Sequence, residues 1–246
     1  MNELEENAEI EAPAPEPAED CPRCGKPLTL CVCQDIQPID NKIAVLVLQH
    51  PQEQDKALGT ARLTTLHLKN AVFKTGLSWP SLTKALGRTA DPKRWATLYL
   101  GSADPAMLAP GYPVVALDAK GNRLPMQEMA LADIEGIIVL DGTWSQAKTL
   151  WWRNAWLLKS KRVVLDPAKP SLYGKLRREP RREGLSTLEA TAMLLSHLEK
   201  RPEIETALLE TFAKLLEKYR ENPPLAATGP RGVKAGPRRR FRRRSR

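Results

Sequence analysis

Short apolar runs recur along the chain and alternate with segments of helical composition. Continuous apolar runs of this length are typical of strands that are buried on both faces by helices. The alternation predicts an α/β fold with a mainly parallel sheet and helices on both faces. The predicted strands cover residues 42–49, 72–73, 95–100, 114–117, 137–140 and 162–165.

The predicted helices cover residues 81–86, 145 to about 156, 186 or 187 onward, and 204–219, with helical composition also at 55–68. Trp152 and Trp156 are four residues apart and therefore share one face of a helix. We expect both indoles to pack in the core rather than to form a surface on which bases stack.

The segment Asp141-Gly-Thr-Trp144 lies where a predicted strand ends and a predicted helix begins. In open α/β sheets, ligands bind outside the carboxyl ends of the strands. The segment therefore predicts a ligand site that includes the carboxylate of Asp141. A simpler interpretation is that Asp141 caps the helix while Trp144 packs in the core.

Two further segments belong to the same edge of the predicted sheet. His50-Pro-x-Glu53 follows the first strand. The simpler interpretation is that His50 caps this strand and that Glu53 lies in solvent. In the segment 185–190, Ser186 or Thr187 is placed to cap a helix, with Glu189 in its first turn. Helix N-termini of this kind also bind anions.

All four cysteines lie within thirteen residues, as Cys21-x-x-Cys24 and Cys31-x-Cys33. Four thiolates in two short pairs match a closed tetrahedral zinc site. Because no position is left open for a substrate, the predicted zinc is structural. A redox pair or unligated surface thiols are the alternative.

Basic residues are concentrated in the second half of the chain. A loop carries Lys175, Arg177, Arg178, Arg181 and Arg182, and the segment 231–246 carries eight Arg and one Lys with no acid. Residues 1–20 carry eight acidic residues, and residues 21–230 are left with a charge of about +8. The basic body and tail predict a polyanionic partner such as RNA, although any one of these arginines is equally compatible with a solvated loop.

No apolar segment follows a basic start, and no run approaches the roughly 18 apolar residues that cross a bilayer. We therefore expect a cytoplasmic protein with no membrane contact, and we infer no obligate protein partner. The predicted organisation is a disordered acidic leader (1–20), a zinc knuckle (21–36), an α/β domain (37–222) and a disordered arginine-rich tail (223–246).

The ordered set of motifs resembles the DTW-domain family of tRNA-uridine aminocarboxypropyltransferases. The set comprises the two cysteine pairs, His50-Pro-x-Glu53, Asp141-x-Thr143-Trp144-x-x-Ala147 and Leu185-Ser-Thr-Leu-Glu-Ala190. The resemblance implies S-adenosylmethionine as the donor of a 3-amino-3-carboxypropyl group to N3 of a uridine in tRNA, with methylthioadenosine released. It also implies a SPOUT-like fold with a trefoil knot.

The chemistry of this transfer gives the role that we expect of each candidate residue. Asp141 accepts or orients the N3 proton, and Thr143 and Trp144 shape the cofactor pocket together with Leu185, Ser186 and Thr187. The basic loop and tail bind the RNA backbone. Two alternatives remain: a SPOUT-type RNA methyltransferase that uses the same cofactor, and a non-catalytic zinc-containing RNA-binding protein.

Overall fold

A computed structural model of the chain describes residues 19–54, 56–99, 112–118, 120–174, 176 and 184–223. The predicted acidic leader lies outside the described residues except for Glu19 and Asp20, and the predicted tail does so except for Pro223. The division of the chain into four segments stays a prediction.

The described residues form one six-stranded sheet of β1 (Ala44–Gln49), β2 (Ala71–Thr75), β3 (Trp95–Leu98), β4 (Val114–Leu117), β5 (Gly136–Asp141) and β6 (Lys161–Leu165). The strands lie in the order β2-β1-β5-β3-β6-β4. All neighbouring strands are parallel except the edge strand β4, which is antiparallel to β6. The predicted mainly parallel sheet is therefore confirmed, whereas the SPOUT-like topology and the trefoil knot stay predictions.

Helices cover both faces of the sheet, as predicted. One face packs against α1 (Ala61–Leu66), α5 (Thr187–Glu199) and α6 (Pro202–Glu221). The other face packs against α2 (Leu82–Leu86) and a 3-10 helix at Ala155–Lys159. Alternate residues of β1 and β5 enter the two cores, because side chains of a strand point to opposite faces. Two further α-helices of the described residues are α3 (Gln127–Ala132) and α4 (Trp144–Arg153).

The prediction for Trp152 is wrong. Trp156 is buried, but Trp152 is 70% exposed, and the two residues do not share a helix because α4 ends at Arg153. Asn154 stops the helix: its side-chain amide donates to the carbonyl of Leu150 at 2.7 Å and its Oδ1 accepts from the amide of Trp79 at 2.8 Å. The turn at Asn154 rotates Trp156 into the core and leaves Trp152 on the surface.

Helix α3 was not predicted, and it protects the free edge of the sheet. The Gln127 side chain accepts from the amide of Ala116 at 2.6 Å and donates to its carbonyl at 3.0 Å. These bonds satisfy backbone groups on the outer side of β4, beside the isolated antiparallel bridge between Leu117 and Arg123. Within the described ranges, no helix is long and apolar enough to cross a membrane.

His67, at the end of α1, is a buried group with a measurable effect on stability. It is 3% exposed, and neither ring nitrogen has a hydrogen-bond partner in the described structure. Burial lowers the pKa of His67 to about 4 from an ordinary value of 6.5. The folded protein therefore holds this side chain neutral at pH values where the unfolded chain protonates it.

This difference predicts a loss of stability as the pH falls from about 6.5 to about 4. The unfolded chain binds the extra proton over this range, so the His67 contribution to the free energy of unfolding is complete above it and is lower by about 2 kcal/mol at pH 5. Urea unfolding of the wild type and of His67→Leu at pH 8 and pH 5 measures the effect. We expect the variant to gain about 2 kcal/mol relative to the wild type at the lower pH; a difference that does not change with pH would contradict this account.

Candidate functional site

The carboxyl ends of three neighbouring strands hold a chain of hydrogen-bonded side chains. Gln49 and Asp141 end β1 and β5 and are paired in register, as are Gln49 and Thr75 at the end of β2. The amide of Gln49 donates to Asp141 Oδ2 at 3.0 Å, and the Thr75 hydroxyl donates to Gln49 Oε1 at 3.4 Å. The sheet register therefore fixes the position of a carboxylate that is only 8% exposed.

The start of α5 holds the other oxygen of Asp141. The hydroxyl of Thr187, the first residue of this helix, donates to Asp141 Oδ1. Because both carboxylate oxygens accept a hydrogen bond, the plane of the group is fixed. The structure thus brings together two segments that are 46 residues apart in the sequence.

A capping box begins α4 beside Asp141. Thr143 is the N-cap, its hydroxyl accepts from the amide of Gln146 at 3.4 Å, and the Gln146 side chain accepts from the amide of Thr143 at 2.6 Å. Only glycine fits at position 142, because a Cβ there would lie 2.8 Å from Cβ of Gln146 and 3.4 Å from Cβ of His50. The glycine and the cap together let the chain turn from the end of β5 into α4 while it stays close to His50 at the end of β1.

His50 and Glu53 have separate positions. His50 caps a short 3-10 helix at Pro51–Glu53, where its Nδ1 accepts from the amide of Gln52 at 3.2 Å. Glu53 is 6% exposed, and no hydrogen bond to its carboxylate occurs among the described residues. The simpler interpretation is therefore wrong about Glu53, which is buried, and His50 caps the 3-10 helix that follows the strand.

A second capping box begins α5. Ser186 is the N-cap and Glu189 reaches back to the amide of Ser186 at 2.8 Å. The same carboxylate accepts from the hydroxyl of Ser171 and from the amide of Leu172, both at 2.7 Å. Glu189 thereby ties the segment before the basic loop to the start of α5, which is a structural role.

A cavity of about 420 Å³ opens at this edge of the sheet. It is lined by all six residues predicted for catalysis and cofactor binding: Asp141, Thr143, Trp144, Leu185, Ser186 and Thr187. Glu53, Thr60, Tyr99 and Tyr173 also line it. The described part of the lining contains two carboxylates and no Lys, Arg or His, so it favours a ligand with positive charge. Burial raises the pKa of Tyr99, so this phenol stays a hydrogen-bond donor at neutral pH.

The predicted RNA-binding residues Lys175, Arg177, Arg178, Arg181 and Arg182 lie outside the described residues. On either side of this segment, Tyr173 and Gly184 line the cavity.

Sequence reasoning missed three residues that shape the site. Gln49 orients Asp141, Thr60 accepts from the amide of Leu188 at 3.2 Å, and the Tyr173 hydroxyl donates to the carbonyl of Leu58 at 2.7 Å. The one sequence signal was at Gln49, a buried amide that ends an otherwise apolar strand.

The four predicted metal ligands form a second site. The sulfur atoms of Cys21, Cys24, Cys31 and Cys33 all lie within 4.8 Å of one another, and three of the four residues are buried. A tetrahedral zinc ion with Zn–S bonds of about 2.3 Å requires sulfur separations of about 3.8 Å, so the cluster fits a metal after small rotations. Gly25, with φ of +65°, makes the turn after the first pair.

The cysteine cluster is joined to the wall of the cavity. The ammonium group of Lys26 donates to the carbonyls of Ala57 at 2.7 Å and of Gly59 at 2.6 Å. Gly59 lines the cavity, and Lys26 is 4% exposed. On the opposite side, Lys218 of α6 donates to the carbonyl of Cys31 at 2.5 Å. The order of the cavity wall therefore depends on the order of the cluster.

Comparison with known proteins gives a family and several relatives. The model of the DTW domain family matches residues 18–220. The chain is 29% identical over 198 residues to a tRNA-uridine aminocarboxypropyltransferase 2 from Macaca fascicularis and 30% identical over 200 residues to one from Mus musculus. A protein of the same name from Drosophila melanogaster is 28% identical over 218 residues.

These alignments cover 80%, 80% and 87% of this chain, and 62%, 62% and 80% of the three relatives in the same order. The chain thus spans about three fifths of the length of the two mammalian relatives. No solved structure matches it significantly.

Proposed function

Because the chain belongs to the DTW domain family, we propose that it transfers a 3-amino-3-carboxypropyl group from S-adenosylmethionine to N3 of a uridine in tRNA. Three relatives carry the name of this reaction on tRNA uridine. The observation that carries the proposal is the fixed carboxylate of Asp141, which faces a cavity at the carboxyl edge of the sheet.

The cavity suits this donor in size and charge. Its volume of about 420 Å³ lies within the usual range for small-molecule sites. S-adenosylmethionine carries a positive sulfonium, a positive ammonium and a negative carboxylate group, so its net charge is positive. The described lining offers the carboxylates of Glu53 and Asp141 to the two cationic groups. The rings of Tyr99 and Trp144 also attract a cation.

Orientation decides the outcome of the reaction. S-adenosylmethionine supplies a sulfonium with three carbons that are open to displacement, and the enzyme selects one of them by position. Thr143, Trp144 and the backbone of residues 185–187 hold the donor and the nucleoside in this proposal. They place N3 of uracil in line with the methionine Cγ and keep the methyl group out of reach.

Asp141 accepts the proton that uracil loses from N3. Each of its oxygens accepts one hydrogen bond from the protein, and a carboxylate oxygen has a further lone pair for the N3–H of uracil. As the N3–Cγ bond forms, the S–Cγ bond breaks with its electron pair left on sulfur, and the N3 proton passes to Asp141. The products are the modified uridine and methylthioadenosine.

The remaining parts support substrate binding and stability. We assign the tRNA backbone to Lys175, Arg177, Arg178, Arg181, Arg182 and the arginine-rich tail, because arginine suits phosphate. We assign a structural zinc ion to the four cysteines, which together close a tetrahedral site. Action in the cytoplasm stays a prediction.

The by-product separates this activity from its alternatives. Purified protein is incubated with S-adenosylmethionine and unmodified tRNA, and the small molecules are resolved by chromatography. We expect methylthioadenosine in a 1:1 ratio to modified uridine. Adenosylhomocysteine would identify a methyltransferase instead, and no turnover despite tRNA binding would favour a non-catalytic RNA-binding protein.

Glu53 gives a prediction about donor binding. Replacing it by Gln removes a buried negative charge from the cavity, and we expect affinity for S-adenosylmethionine to fall about 10-fold, which corresponds to roughly 1.4 kcal/mol. Methylthioadenosine is neutral, so its affinity should not change. Calorimetric titration with both ligands measures the effect.

Glu210→Gln is the matched control, because Glu210 is exposed on α6. Equal losses of affinity for the charged and the neutral ligand would show that Glu53 supports the fold of the cavity rather than the charge of the donor.

A further inference from the structure

Trp152 is the most exposed large hydrophobic side chain in the described part of the chain, at 70%. A buried Trp removes about 150–250 Å² of surface from water, which makes an exposed indole an unused binding group. Leu158, 56% exposed in the following 3-10 helix, extends the apolar surface. The transfer mechanism proposed above gives no role to either residue.

The stretch of chain around Trp152 is basic. Residues 142–165 contain five basic residues and no acidic one. Lys148 lies one turn before Trp152 on the same side of α4, and Arg153 follows it; both are exposed, as is Lys159. None of these three cations forms an ion pair with another described residue.

The same helix connects Trp152 to the cavity. Its first residue, Trp144, lines the cavity, and eight residues of α-helix place Trp152 about 12 Å further along the axis. Trp151 stacks on Tyr99 with ring centroids 4.6 Å apart and an angle of 23°, and Tyr99 also lines the cavity. This stack and the side-chain bonds of Asn154 hold the helix, so the distance from the cavity to Trp152 is fixed.

We propose that Lys148, Trp152 and Arg153, here called the α4 surface, form a second contact for the RNA substrate. The indole of Trp152 stacks on an unpaired base, and the two cations bind phosphates on either side of it. An aromatic side chain between cations is the combination that binds single-stranded nucleic acid, and unpaired bases are the ones that proteins reach in RNA. The inference rests on the proposed function, because it takes tRNA as the substrate.

Charge favours RNA over a second copy of the chain as the occupant. In a symmetric dimer the same surface lies on both sides of the interface, so Lys148 and Arg153 of the two copies would face like charges. A polyanion such as RNA is instead attracted by each of these cations, and its binding is favoured further by the counterions that it releases.

Equilibrium binding of labelled tRNA without S-adenosylmethionine tests the proposal. Trp152→Ala should weaken binding by about 5- to 150-fold, the equivalent of about 1–3 kcal/mol for one stacked base. Trp152→Phe should retain most of the affinity, because phenylalanine also stacks. Met129→Ala is the matched control, since Met129 is 67% exposed on α3 and lies outside the α4 surface.

Two further readouts separate stacking from damage to the fold. Replacement of Lys148 and Arg153 by Gln should reduce the slope of log affinity against log salt by about 1.4, if each binds one phosphate of a single strand. In the transfer assay, Trp152→Ala should raise the KM for tRNA and leave kcat unchanged.

Equal tRNA affinity of the wild type and Trp152→Ala would overturn the proposal and leave the proposed function intact. Light scattering measures the oligomeric state of both proteins. A dimeric wild type and a monomeric Trp152→Ala would also overturn the proposal, because the α4 surface would then be a contact between two copies of the chain. A wild type that binds no tRNA would overturn the proposed function as well.

Discussion

Asp141→Asn should reduce the rate of aminocarboxypropyl transfer by at least about 100-fold and should leave tRNA binding nearly intact. A positioned acid or base contributes about 10²- to 10⁴-fold to a reaction rate, and Asp141 is the carboxylate that the strand register and α5 hold in one orientation. Asn has nearly the same shape and still accepts the Thr187 hydrogen bond, but it cannot take a proton. Asp141→Ala should abolish transfer.

The assay follows methylthioadenosine release and tRNA affinity in parallel. Asp133→Asn is the control, because Asp133 is exposed and pairs with Lys161 on the opposite edge of the sheet. Transfer by Asp141→Asn at the wild-type rate would remove Asp141 from the mechanism. Loss of tRNA binding together with transfer would indicate a structural role instead.

Loss of the metal should produce the second large effect. Purified protein should contain one zinc ion per chain, and Cys24→Ser should lower the Tm by about 10 °C or more. Breaking a structural zinc site costs several kcal/mol, and each kcal/mol corresponds to roughly 2–4 °C in a domain of this size. Transfer should fall as well, because the two Lys26 hydrogen bonds to the cavity wall need an ordered knuckle.

Elemental analysis and calorimetry of the wild type, Cys24→Ser and Leu28→Ser measure this effect. Leu28 lies between the two cysteine pairs and is 52% exposed, so its replacement tests the same segment without touching a ligand. Protein that contains no zinc, or a Cys24→Ser variant with the wild-type Tm, would contradict the proposed structural metal.

The strands and the cysteine cluster were predictable because their signals are local. An apolar run indicates a buried strand. Two cysteine pairs within thirteen residues are close in space because the segment that connects them is short. Ser186 as the cap of α5 follows in the same way from a motif of four residues. The position of Asp141 at the carboxyl edge of the sheet was also predictable, since an apolar run leads directly to it.

The contacts of Asp141 were not predictable, because they depend on strand order. Gln49 precedes Asp141 by 92 residues, and only the placement of β1 beside β5 makes them neighbours. The burial of Trp152 was predicted wrongly for a related reason. The side chain of Asn154 ends α4 through hydrogen bonds to residues 77 and 79, and the spacing of apolar residues along the helix gives no sign of these bonds.

Nucleoside mass spectrometry of tRNA tests the central claim most directly. Bulk tRNA is compared between cells that carry the gene, cells that lack it and cells that carry only Asp141→Asn. We expect 3-(3-amino-3-carboxypropyl)uridine in tRNA from cells that carry the gene and its absence from the tRNA of the other two cell lines. An identical nucleoside profile in all three would contradict the account.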